Sequence, residues 1–203
     1  MMKLVDEKRV VPVVVLNSIE ETIPTLSKMI AGGLPIAEIT FRTACARDAI
    51  ELGCKEFPEM LIGAGTIINA AQCEEAIAAG SKFIVGPGFS DEVCAVCQKH
   101  DIPYFPGCVT PTEIMMAINA GLKIIKFFPA NVYGGLKAMQ GLAGPFPQIK
   151  FIPTGGVDAS NLAEYLAWDK IHAVGGSWMM KGDIEAKCAE IGNIVEKGNF
   201  QNI

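Results

Sequence analysis

Short apolar runs recur along the chain, each bounded by glycine, proline, asparagine or threonine: VVPVVVL, PIAEITF, LIGAGT, KFIVGPG, IPYFPG, KIIKFFP, IKFIPTGG and HAVGGS. Their length and content of branched and aromatic residues predict eight strands. Longer stretches with helical spacing of apolar positions separate them, among them SIEETIPTLSKMIAGG, ACARDAIELGCKEF, NAAQCEEAIAAG, DEVCAVCQKH, TPTEIMMAINAG, GGLKAMQGL and ASNLAEYLAW. Ser18, Asn69, Ser90, Thr110 and Ser160 stand where N-caps belong, and Gly32, Gly80 and Gly121 where helices stop.

Strands alternating with helices imply parallel pairing through crossovers. Eight such units closing on themselves predict a (β/α)8 TIM barrel, a single α/β domain over residues 1–203 with one more helix over about 183–203. A doubly wound open sheet is the competing architecture, but no G-x-G-x-x-G follows the first strand.

Composition narrows the function classes. The chain has 203 residues, 50% of them hydrophobic, and a net charge of -5, which predicts a soluble globular protein with a sizeable core. Lysine and arginine are scattered without a basic run, which argues against nucleic acid as a partner. No apolar run approaches the roughly 18 residues of a membrane span, and the charged start MMKLVDEKRV does not resemble a signal peptide, so a cytoplasmic protein without a membrane partner is expected. Seven dispersed cysteines read as reduced thiols. Cys94 and Cys97 form a C-x-x-C on a predicted amphipathic helix, with no second pair and only two histidines in the chain, so packing is the expected role and neither a metal nor another cofactor is expected.

In a (β/α)8 barrel the chemistry sits at the C-terminal ends of the strands. Those ends carry Glu38, Thr40 and Arg42, then Thr66, Pro87, Lys126, Phe128, Thr154 and Ser177. In an extended segment Glu38, Thr40 and Arg42 share one face. Lys126 is enclosed by Ile124, Ile125, Phe127 and Phe128. Such surroundings penalise an ammonium and favour the neutral, nucleophilic amine that a Schiff base requires, although a lysine that snorkels or pairs with Glu38 for structure alone would read the same. Glu38 is the candidate general acid/base and Arg42 the candidate clamp for a carboxylate. The glycine pairs in PTGG at 153–156 and GGS at 175–177 close the last two strands, where barrels bind phosphate through bare backbone amides, so these two strand ends are the candidate phosphate site, although a glycine pair also reads as a plain turn.

EITFRT, GAGT, GPG, the PG followed by TP-x-E at 106–113, KFFPA, GPF, PTGG and GGSW stand in an order and spacing that resembles the 2-keto-3-deoxy-6-phosphogluconate (KDPG) aldolase family, whose members also act on 4-hydroxy-2-oxoglutarate (KHG). The resemblance spans nearly the whole chain. It implies a metal-free class I aldolase acting on a small 2-keto acid phosphate, with Lys126 as the Schiff-base lysine and Glu38 as the proton-transferring base. It further implies that Arg42 and Thr66 hold the pyruvate carboxylate, that Phe128, Pro87 and Thr154 line the pocket, that Gly155, Gly156 and Ser177 contact the phosphate, and that the protein is a homotrimer. One departure stands out: many relatives carry an arginine just after the first strand, where this chain has Leu16 and Asn17. Arg42 resembles the phosphogluconate rather than the phosphogalactonate type, and a phosphogalactonate aldolase or a phosphate-binding barrel enzyme of another class are the alternatives.

Overall fold

The computed structural model describes residues 2–200. Every predicted strand is present and shorter than its apolar run: β1 (Val10–Val14), β2 (Ile36–Thr40), β3 (Leu61–Gly65), β4 (Ile84–Val85), β5 (Tyr104–Phe105), β6 (Ile124–Phe127), β7 (Lys150–Pro153) and β8 (Val174–Gly176). The helices are α1 (Met2–Lys8), α2 (Thr22–Ala31), α3 (Ala46–Glu56), α4 (Ala70–Ala78), α5 (Asp91–Lys99), α6 (Pro111–Asn119), α7 (Gly135–Ala143), α8 (Leu162–Leu166) and α9 (Ile184–Lys197). None is long and apolar enough to cross a membrane.

The strands make an α/β fold with a curled parallel sheet. Six pair in the order β5-β4-β3-β2-β1-β8, and β6 pairs with β7. Single parallel bridges link Gly107 to Lys126 and Thr154 to Gly175. Strand side chains divide by alternation into two buried clusters. Ala37, Ile39, Ile125, Phe127 and Phe151 face the helices in the larger one. Val11, Ile36, Leu61, Phe83, Phe105 and Ile152 meet on the concave face in the smaller one.

Local chemistry accounts for most helix ends. Asn69, Ser90 and Thr110 each accept a backbone N–H through the side chain, and Thr110 with Glu113 forms a reciprocal capping box. Gly80 and Gly121 take positive φ after their helices, as stop glycines do. Three expectations shift. Ser160 is not the cap of α8, because its N–H and hydroxyl are engaged by Asp158 Oδ1 and Asn161 takes the cap position. The helix expected from Ser18 is a 3-10 turn (Ile19–Glu21) leading into α2, which stops at Gly32 as expected, with Gly33 taking the left-handed conformation after it. The last helix begins after Asp183, which caps it, and ends at Lys197; the expected end at 203 falls outside the described residues.

The sequence reading contains no counterpart of α1. Its apolar residues Leu4 and Val5 join the concave cluster, so this helix covers one end of that cluster. Behind α1, the buried Arg9 side chain donates to the carbonyls of His172 at 3.0 Å and Ile171 at 2.7 Å, which ties the segment before β1 to the segment before β8. Cys94 and Cys97 are buried in the helix-facing core, as expected for packing, and Cys97 Sγ lies 3.5 Å from Cys73 Sγ. Among the described residues no cluster of His, Cys, Asp or Glu is arranged to hold a metal ion.

Candidate active site

Alternation along β6 directs Lys126 to the concave face. Ile125 and Phe127 belong to the helix-facing core, so Ile124 and Lys126 project the other way. The same logic on β2 turns Ile36 and Glu38 inward while Ala37 and Ile39 face the helices. The two charged side chains therefore meet: Lys126 Nζ lies 3.3 Å from Glu38 Oε1, with residue exposures of 3% and 2%. A lysine so enclosed does not snorkel to water. The Phe128 ring centroid is 5.1 Å from Nζ, close enough to favour a cation through its π face.

Below the pair lie Val5, Val11, Phe83, Val85, Phe105 and Ile152, enclosing a cavity of about 10 Å³ that has room for no more than about one water. This apolar floor confines reactive contact with Lys126 to the opposite side.

Glycines make room for the pair. A Cβ on Gly65 would fall 2.2 Å from Glu38 Oε1, so the second glycine of GAGT leaves the volume that the carboxylate occupies. A Cβ on Gly175 would meet Thr154 Oγ1 at 2.2 Å. Gly65 is a site residue that the sequence reading passes over in favour of Thr66. The strand register, which sets Glu38 opposite Gly63 and Thr40 opposite Gly65, is the information that identifies it.

Above the pair opens a cleft of about 330 Å³ lined by Arg42, Phe128, Thr154, Gly155, Gly156 and Ser177, along with Val13, Asp158, Trp178 and Lys181. Six of the ten predicted site residues thus share one opening. Thr66 does not line it but accepts from Arg42 Nε at 3.0 Å through its hydroxyl, and Thr66 itself has φ 60. The guanidinium is oriented by that bond. Pro87 is not among the residues lining the cleft; its carbonyl packs where a Cβ on Gly107 would lie, 2.0 Å away, which brings the ends of the fourth and fifth strands together.

The glycine pair at 155–156 has φ values of 93 and 77, a conformation that side-chain-bearing residues rarely adopt. The Gly155 carbonyl accepts from Asn131 N–H, and a Cβ on Gly156 would collide with the Asn131 side chain at 2.3 Å. Lys181 and Trp178 are among the lining residues that sequence reasoning missed, with Val13 and Asp158. Trp178 opens the 3-10 turn (Trp178–Met180) that follows the last strand and Lys181 is the residue after it, where no periodicity marks a direction.

A family model described as KDPG and KHG aldolase matches residues 1–194. The KHG/KDPG aldolase of Escherichia coli strain K12 is 42% identical over 174 residues, covering 86% of this chain and 82% of the relative. Two crystal structures are similar throughout. The KDPG aldolase of Legionella pneumophila, with pyruvate captured at low pH as a covalent carbinolamine intermediate, superposes with a TM-score of 0.86 at 36% identity and 96% coverage of both chains. The KDPG aldolase of Zymomonas mobilis ZM4 with 3-phosphoglycerate does so with a TM-score of 0.89 at 34% identity and 94% coverage of both.

Proposed function

Because the chain belongs to the KDPG and KHG aldolase family, we infer that it cleaves 2-keto-3-deoxy-6-phosphogluconate to pyruvate and glyceraldehyde 3-phosphate through a Schiff base on Lys126, and KHG to pyruvate and glyoxylate by the same route. The observation that carries the reading is a buried lysine amine 3.3 Å from a buried carboxylate, beneath a cleft that gathers an arginine and a bare glycine pair. The carbinolamine of the Legionella relative supports a covalent route for pyruvate.

In this reading the neutral Lys126 amine attacks the C2 ketone. Water leaves, and the resulting iminium accepts the electron pair of the C3–C4 bond as it breaks. Glu38, acting through a water, takes the C4 hydroxyl proton, and the aldehyde departs. Protonation of the enamine at C3 and hydrolysis of the imine release pyruvate and restore the amine. Arg42, oriented by Thr66, holds the substrate carboxylate. Phe128 and Thr154 line the pocket around it, Pro87 supports its wall from the neighbouring strand end, and the amides of Gly155 and Gly156 with the Ser177 hydroxyl hold the phosphoryl group.

We infer further that the curled sheet closes into a (β/α)8 barrel forming a single domain. The two isolated bridges between the six-stranded and two-stranded sheets support closure. A homotrimer in the cytoplasm is the corresponding assembly and location, open to test by sedimentation and fractionation.

Borohydride with pyruvate tests the chemistry. One reduced pyruvyl group is expected per chain by intact mass, and peptide mapping should locate it on Lys126. Modification of a different lysine, or none, would refute the assignment. The phosphate site has its own test. Ser177→Ala removes one donor to a charged acceptor, so the ratio of kcat/KM for the phosphorylated substrate to that for KHG should fall about 10-fold. An equal loss for both substrates would make Ser177 a support of the fold.

A further inference from the structure

The cleft above Lys126 holds cationic groups with different commitments. Arg42 Nε donates to Thr66 Oγ1 at 3.0 Å and is turned toward the end of the third strand. Lys126 lies below, against Glu38. Lys181 is the remaining cation of the lining, in the same group of residues as Gly155, Gly156 and Ser177. Its ammonium makes no hydrogen bond or ion pair among the described residues, and the side chain is exposed.

The backbone beneath it, by contrast, is held. Lys187 Nζ on α9 donates to the carbonyls of Trp178, at 3.3 Å, and of Lys181. Gly182 follows with φ 77, and Asp183 caps α9. The root of Lys181 is thereby anchored at the rim while its charged end is uncommitted. One carboxylate shares the rim, Asp158, and it is engaged by the N–H and hydroxyl of Ser160, which hold it below the usual carboxylate range. It makes no pair with Lys181.

We propose that Lys181 is a specificity-determining residue that pairs with the distal phosphoryl group of the substrate and sets the preference for phosphorylated over short unphosphorylated 2-keto acids. The inference rests on the aldolase reading and deepens it. Substrate chemistry explains why a cation at the rim discriminates. In KDPG the phosphoryl group hangs from C6, two carbons beyond the C4 hydroxyl on which Glu38 acts, whereas KHG ends at C5 with a carboxylate close to the reacting bond. Backbone amides and the Ser177 hydroxyl are neutral donors. A dianion held only by them keeps its charge uncompensated, and a flexible lysine supplies a point charge that can follow it.

The test compares kcat/KM for KDPG and KHG in the wild type, in Lys181→Met and in Lys181→Arg. The ratio of the two values should fall about 10-fold in Lys181→Met, the scale of one partly exposed charged contact, and stay within about 2-fold of wild type in Lys181→Arg. The drop should shrink as salt rises from low ionic strength to about 0.5 M, because an exposed pair is screened. An unchanged ratio in Lys181→Met would overturn the proposal, as would an equal fall in Lys181→Arg, where the charge is kept. Pyruvate trapping separates the two levels of inference. Wild-type protein that forms no borohydride-fixed adduct refutes the aldolase reading itself, while an unchanged ratio in protein that does form the adduct refutes only the role of Lys181.

Discussion

Lys126→Ala and Lys126→Arg are both expected to lose at least about 10⁴-fold in turnover, since neither residue can form the imine on which every later step depends. The two variants should differ in stability. Lys126 and Glu38 are 3% and 2% exposed, so alanine leaves a carboxylate buried without its partner, at a cost of about 3 kcal/mol. Arginine keeps the positive charge, and its guanidinium stays protonated and non-nucleophilic. Folded Lys126→Arg protein is therefore the cleaner measurement. Retention of KDPG cleavage in it above about 1% of wild type would place the Schiff base on another lysine. Lys126→Ala should melt below wild type by calorimetry, and restoring neutrality with Glu38→Gln in the same chain should recover part of that loss, because no buried charge then lacks compensation.

How much of this site is legible in the sequence depends on which physical constraint each residue obeys. Lys126 and Glu38 sit on strands whose alternation with helices is plain, so period two and the rule for strand ends identify them as inward-facing candidates. Their mutual contact spans 88 positions of chain and follows only once the strands curl toward each other. Gly65 is invisible for the same reason: a glycine in a strand reads as a bulge or weak spot until the register sets it beside the Glu38 carboxylate. Lys181 escapes a different way. It lies past the last strand on a turn pinned by Lys187 of α9, and neither residue belongs to a periodic pattern that points at the cleft. The first helix is hidden in a charged stretch whose apolar contribution to the concave core is small, namely Leu4 and Val5. Pro87 takes its pocket role from the resemblance alone, and its carbonyl packs closely against Gly107 at the neighbouring strand end.

Glu38→Gln separates proton transfer from pairing at the centre of the site. Glutamine keeps the length of the side chain and an oxygen that accepts from the Lys126 amine, and it fits the space that Gly65 leaves, so the hydrogen bond is retained while the charge compensation of the buried pair is lost. What disappears is the proposed base. KDPG turnover should fall about 100-fold or more, the usual scale of a general acid/base contribution, with little change in KM, because the proposed carboxylate and phosphoryl contacts involve other residues. Pyruvate alone supplies a second readout. Imine formation followed by loss of a C3 proton gives the enamine, so wild-type protein in D2O should exchange the pyruvate methyl protons, and the exchange followed by NMR should slow in Glu38→Gln by a factor comparable to the fall in turnover. A purely structural partner of Lys126 would leave both rates near wild type, since the amide preserves the hydrogen bond. Wild-type exchange together with impaired cleavage would assign the C3 proton to another base and confine Glu38 to the C4 hydroxyl.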